Sequence, residues 1–153
     1  MNKDLKDSID TVKKIVYEMS SLYHTAAVKT GISDGEIAVW NMLLFSEENY
    51  SQKDLAETLF MSKQTVNSIV SSMAKRGLVE LKHMPGTRNL KVIKLTEAGR
   101  QFAADNVQWI FEADERAMEK TDLRELRAVI SLLDKYVRNL REELSRTEDS
   151  GVL

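Results

Sequence analysis

The chain has 153 residues, of which 42% are hydrophobic and 30% charged, with 22 basic and 24 acidic side chains and a formal net charge of −2. That composition belongs to a folded chain, either one domain with a real hydrophobic core or one small domain plus helical appendages. The absence of cysteine excludes disulfides, thiolate metal sites, iron–sulfur clusters and thiol redox sensing, while one proline and six glycines leave little material for a many-turned β fold.

Residues 5–27 place Leu5, Ile9, Val12, Val16, Met19, Tyr23 and Ala26 at alternating steps of four and three, the stripe of a long amphipathic helix. The acidic start, with Asp4, Asp7 and Asp10, is unlike a secretory leader, and no apolar run approaches the ~20 residues of a membrane span. A cytoplasmic, mainly helical protein is expected. Gly31 ends the first helix, and Ser33-Asp34-Gly35-Glu36 reads as a capping box opening a second, with Ile37, Val39, Trp40, Leu43 and Leu44 inward.

Ser51-Gln52-Lys53-Asp54 repeats the capping signal and opens a short helix to about Leu59, with Leu55, Ala56 and Leu59 inward. Phe60 and Met61 make a tight connection. Ser62 caps a further helix running to Arg76 and stopped by Gly77. Its face of Val66, Ile69, Val70 and Met73 is apolar, whereas Gln64, Asn67, Ser68, Ser71 and Lys75 lie opposite. Leu78–Lys82 and Lys91–Leu95 read as short strands, and Met84-Pro85-Gly86-Thr87-Arg88-Asn89 between them makes a β-hairpin turn.

Thr96 caps a helix expected to run from about Glu97 to Glu119, with Phe102, Ala103, Ile110 and Phe111 available for packing. Asp122-Leu123-Arg124-Glu125 forms another capping box. The last helix, about Asp122 to Ser145, spaces Leu123, Leu126, Ile130, Leu133, Val137, Leu140 and Leu144 as a coiled-coil seam. Residues 147–153 are polar and are expected to fray.

Charge is segregated along this order. Residues 1–50 carry a net of −3, residues 51–100 a net of +5 and residues 101–153 a net of −4. No acidic side chain occurs from Ser62 through Val79. A basic centre between acidic ends is what one subregion meeting an anionic partner requires.

Two short capped helices joined by a tight turn and followed by a hairpin make a helix-turn-helix with a wing. A helix that reads DNA buries one face and offers short polar donors and acceptors to base edges with the other. Gln64 or Asn67 suits bidentate pairing with adenine, and Ser62, Lys63 and Lys75 suit phosphates. Arg88, at the hairpin tip beside Lys91, has the reach for a minor groove. Ser51, at the start of the preceding helix, completes the set of candidate DNA contacts.

With these residues placed, the sequence resembles the MarR family, winged-helix regulators of the multiple-antibiotic-resistance type. The resemblance lies in Ser51-Gln52-Lys53-Asp54-Leu55-Ala56, Met61-Ser62-Lys63-Gln64-Thr65-Val66, Lys75-Arg76-Gly77-Leu78-Val79 and Leu95-Thr96-Glu97-Ala98-Gly99, and in the order of the flanking helices. It implies a mainly α fold with a small β-wing, a winged helix-turn-helix flanked by long N- and C-terminal dimerisation helices. The expected parts are an N-terminal dimerisation helix (1–30), a DNA-binding domain (31–100), C-terminal dimerisation helices (101–146) and a tail (147–153).

The resemblance further implies a homodimer on a pseudo-palindromic operator, usually a repressor released by a small ligand, with Ser62, Gln64, Thr65, Asn67, Ser68 and the wing residue Arg88 on DNA. The wing departs from the family pattern of Asp before and Arg after that arginine, because Thr87 and Asn89 stand there. Leu81 also stands where a basic residue is common. Dimerisation follows independently from the stripes of 5–26 and 123–144, which offer more apolar surface than one small domain can cover.

Family members often hold an aromatic ligand between the dimerisation helices and the winged lobe, and Tyr23, His24, Trp40 and Trp109 are the candidates here. The two histidines, His24 and His83, make no zinc-site spacing, and no cofactor is expected. An enzyme is disfavoured because the chain has no HExxH, no phosphate-binding glycine loop and no dinucleotide fingerprint. The competing reading is a winged helix serving as a protein-interaction adaptor without specific DNA binding.

Overall fold

A computed structural model describes residues 2–46, 48–84, 86–87 and 89–149, with side chains through 146. The elements are α1 (Lys3–Thr30), α2 (Asp34–Phe45), α3 (Gln52–Thr58), α4 (Lys63–Lys75), β1 (Val79–His83), β2 (Lys91–Leu95), α5 (Glu97–Asn106), α6 (Gln108–Met118) and α7 (Leu123–Asp149). Two compact units result, 1–112 and 113–153. Among the described residues no helix is long and apolar enough to cross a membrane.

The first unit is organised around one apolar core. Val39 and Trp40 of α2, Leu55 of α3, Val66, Val70 and Met73 of α4, Val79 and Ile93 of the hairpin and Ala103, Val107 and Ile110 beyond it are all buried. These are the inward positions expected from helical spacing in α2, α3 and α4. The strands pair antiparallel with Val79 opposite Leu95 and His83 opposite Lys91. Only Val79 of β1 is buried, whereas Val92 and Ile93 of β2 are, so β2 faces the core and β1 faces water. The Ile93 N–H donates to the Tyr50 carbonyl at 2.8 Å, fastening the hairpin to the segment leading into α3.

Three sequence expectations change. Strand β1 starts at Val79, because the Leu78 N–H is committed to the Met73 carbonyl at 3.0 Å and closes α4. The helix expected over 97–119 is two helices broken at Val107. The Trp109 indole N–H donates to the Asn106 carbonyl at 3.1 Å, and the Ile110 N–H turns instead to Val107 at 3.0 Å. The Asn106 side chain donates to the Phe102 carbonyl at 2.9 Å, so this residue competes with the helical ladder on both sides of the break. The tail expected to fray from 147 is helical through Asp149, and 150–153 lie outside the described residues.

In the second unit, Asp122 caps α7 by accepting from the Arg124 and Glu125 N–H groups. Among the described side chains of α7 none is buried. Leu123, Ile130, Leu133, Val137, Leu140 and Leu144 of the seam are exposed, and Val129, Leu132 and Tyr136 are exposed beside them. The stripe is therefore wider than a two-residue heptad seam, as on a helix that packs against more than one neighbour.

Candidate nucleic-acid interface

Helix α4 begins with a real cap. Ser62 Oγ accepts from the Thr65 N–H at 3.0 Å and lies 2.8 Å from Thr65 Oγ1, so these two hydroxyls fix the first turn and each other. Beneath, Val66, Val70 and Met73 are fully buried. Above, Ser62, Lys63, Gln64, Thr65, Asn67, Ser68 and Lys75 are exposed on the opposite face. The helix thus separates a packed side from a polar, non-acidic one, which is the division that reading base edges demands. Lys91 is exposed at the start of β2. Arg88, the expected wing arginine, and Pro85 lie outside the described residues.

Ser51 does not belong with this surface. It is buried, its Oγ accepts from the Asp54 N–H at 3.2 Å and donates to Asp54 Oδ2 at 2.7 Å, and its own N–H donates to the same oxygen at 2.8 Å. The hydroxyl is spent on a reciprocal capping box, leaving nothing to offer a phosphate. These bonds, the Ser51 hydroxyl first and its N–H second, hold the Asp54 carboxyl below its ordinary pKa of 3.8. A lowered folded-state pKa stabilises the fold above the ordinary value, and the contribution is lost as pH falls through the lowered one. Asp54→Asn is expected to cost about 1 kcal/mol at neutral pH and to flatten the loss of stability below about pH 4. Urea unfolding across pH tests this, and an acid limb identical to the wild type would contradict it.

What holds α4 at its angle was not foreseen from sequence. Ser33 caps α2, but Glu36 does not return the capping bond. Its Oε1 instead accepts from the Trp40 indole N–H at 3.2 Å and from Arg76 Nη1 at 2.7 Å. Arg76, at the C-terminal end of α4, also lies over the Phe102 ring at 4.9 Å, and Phe102 stacks on Trp40 at 5.6 Å. A half-exposed arginine paired to a nearly buried carboxylate therefore ties α4 to α2 and α5. The available signal was Glu36 four residues before Trp40, an acid on a buried face that needs a cation.

A crevice of about 710 Å³ opens beside the same helix, lined by His24, Val28 and Ile32 on one side and by Gln64, Ser68 and Ile69 on the other. His24 Nδ1 donates to the Asp34 carboxylate at 3.0 Å, bridging α1 to the first turn of α2. Of the four aromatic ligand candidates, only His24 lines this crevice. Trp40 is fully buried and engaged with Glu36 and Phe102, so it is a core residue and not a ligand contact. Tyr23 on α1 and Trp109 on α6 are partly exposed but do not line it.

Residues 30–88, which span α2 through the hairpin turn, match the sequence model of the MarR family. Over this winged-helix span the chain is similar to the MarR family. The family's regulators are non-enzymatic DNA-binding proteins. Solved MarR family structures share the fold across almost the whole chain. One is the regulator NMB1585 from Neisseria meningitidis, with a TM-score of 0.78, 20% identity and coverage of 96% of this chain and 99% of that one. A second is S. aureus MepR in complex with DNA, with a TM-score of 0.66, 16% identity and coverage of 85% and 94%. A third is CouR from Rhodococcus jostii RHA1 bound to p-coumaroyl-CoA, with a TM-score of 0.62, 24% identity and coverage of 94% and 93%. At these identities the likeness is one of fold.

Proposed function

We propose that this protein belongs to the MarR family and is a sequence-specific transcriptional regulator that binds a pseudo-palindromic operator as a homodimer and represses by occupying it. The observation that carries the reading is α4, whose exposed face of Gln64, Asn67, Ser68 and Lys75 is polar or basic while its other face is fixed in the core. Gln64 and Asn67 are the base-reading side chains, and Ser62, Lys63, Thr65 and Lys75 the phosphate contacts, with Arg88 and Lys91 contributed by the wing. The fold is shared with MepR, which has been captured on DNA. The exposed apolar residues of α1 and α7 supply the dimer surface, and two recognition helices are what a two-half-site operator needs.

Release by a small aromatic ligand fits the crevice. Gln64, Thr65 and Ser68 line it and also belong to the DNA-facing surface, so an occupant there competes directly with DNA for the same side chains. CouR, a neighbour of the same fold, holds a coumaroyl thioester.

Footprinting on the DNA upstream of the protein's own gene tests partner, symmetry and half-site spacing together. An inverted repeat should be protected, with affinity falling steeply as salt rises. Asn67→Ala should weaken binding about tenfold and relax base preference at one position per half-site. Lys63→Ala, which removes one phosphate contact from each half-site, should lower the salt slope by about two. Absence of any protection at low salt would reject this function in favour of a protein-interaction adaptor.

A further inference from the structure

Three helix ends in the first unit close in the same way, and one of them breaks a chemical rule. In each, an N–H reaches back five residues to a carbonyl: Ile32 to Ala27 after α1, Leu78 to Met73 after α4, and Met61 to Ala56 after α3. This closure requires one residue in the left-handed region, where a Cβ clashes with the neighbouring carbonyl and glycine is favoured. Gly31 and Gly77 occupy it after α1 and α4, with φ of 69° and 71°. After α3, in the turn of the helix-turn-helix, the residue is Phe60 with φ of 52°, the one non-glycine residue with positive φ among those described.

Nothing within the fold rewards this choice. Leu59 and Met61 on either side are packed against the core, which fixes the turn and expels the Phe60 ring. The ring is 86% exposed, more than any other large apolar side chain among the described residues. The chain thus carries both a strained backbone and a solvated aromatic at a position where glycine would remove both. Strain of this kind concentrates at functional sites. The turn lies two residues before Ser62, which caps the proposed recognition helix, within a stretch from Thr58 through Val79 that contains no acidic residue.

We infer that the Phe60 ring is a DNA contact, packing on the edge of the major groove beside the N-terminus of α4 against a deoxyribose or thymine methyl group. The inference rests on the DNA-binding reading above and extends its surface to an apolar anchor. The face is continuous with Ser62, Lys63 and Gln64, and its basic surroundings suit a nucleic acid. Phe60 supplies contact area without charge, so it strengthens binding without adding to salt dependence.

The test uses the full-length protein and a duplex carrying the inverted repeat protected in the footprint, with Asn67→Ala as reference. Phe60→Gly should raise the melting temperature by about 2 °C or more yet weaken operator binding about tenfold. Phe60→Ala should lose the same affinity without the stabilisation, because alanine keeps the left-handed strain. Phe60→Tyr should bind within about twofold of the wild type, and all three should keep the wild-type salt slope. Wild-type affinity for Phe60→Gly while Asn67→Ala remains weakened would overturn the inference and leave the DNA reading intact. Equal losses in Phe60→Gly and Phe60→Tyr would also overturn it, since the ring would then be irrelevant. If neither Phe60→Gly nor Asn67→Ala alters binding, the assignment of α4 as the recognition helix falls with the inference.

Discussion

Ile130→Asp combined with Val137→Asp is expected to turn the protein into a monomer of 17.4 kDa and to abolish tight operator binding. Both residues are exposed on α7, seven apart along the seam that runs from Leu123 to Leu144. Each apolar side chain buried on such a seam is worth roughly 1.5–3 kcal/mol. In a symmetric dimer the exchange removes four of them and introduces four carboxylates. The helix itself should persist, because Asp costs a helix only about 0.5 kcal/mol more than a good helix former. Circular dichroism should therefore change little while sedimentation changes completely. Operator affinity should fall by more than ~100-fold, since each half-site would be bound separately. A wild-type protein that sediments as a monomer at micromolar concentration, or a double variant that remains dimeric, would refute the assembly.

Gly99→Ala should be the most damaging single methyl group in the first unit. Gly99 lies in the first turn of α5, where its N–H donates to Thr96 Oγ1 at 2.9 Å. A Cβ there would fall far inside van der Waals contact distance of the Leu78 carbonyl oxygen and 2.9 Å from its carbon. That carbonyl has no room to retreat, because it accepts from the Thr96 N–H at 3.1 Å, and the Thr96 hydroxyl donates to Gly77 at 2.6 Å. The obstruction is backbone, so it cannot be relieved by a rotamer change. A loss of about 3 kcal/mol is expected, which for a chain of this length lowers the melting temperature by roughly 6–12 °C. The junction also joins the end of α4 to the start of α5, so the recognition helix and the wing should shift together. A melting temperature within about 2 °C of the wild type would show that the approach is not tight.

These two experiments fall on different kinds of information. The seam of α7 is legible in the order of residues alone, because a repeat of three and four needs no knowledge of the partner to be recognised. The caps at Ser33, Ser51, Ser62 and Thr96 were likewise local and are all present. The polar face of α4 followed from the same helical arithmetic that located Val66, Val70 and Met73 in the core.

Gly99 was visible only as part of a motif, since nothing in its neighbours says which backbone will approach it. The break at Val107 was missed for a similar reason. Helical spacing continues across it, and only the folded chain brings the Trp109 indole onto the Asn106 carbonyl. Glu36 looked like half of a capping box because Arg76, forty residues away, could not be placed beside it. Ser51 looked like a surface hydroxyl because burial is not a local property.

Sequence alone thus determined the helical segments apart from the break at Val107, their capped starts, which faces are apolar, and that a basic winged helix-turn-helix lies between two acidic helical arms. Periodicity, capping and charge all act over a turn or two of chain. Tertiary structure decided which polar side chains are free to meet a partner and which are consumed inside the fold. It withdrew Ser51 and Trp40, tied Arg76 to Glu36, and exposed Phe60 in a turn where two neighbouring helix ends use glycine. Those outcomes depend on contacts between residues far apart in the chain, and no local pattern carries them.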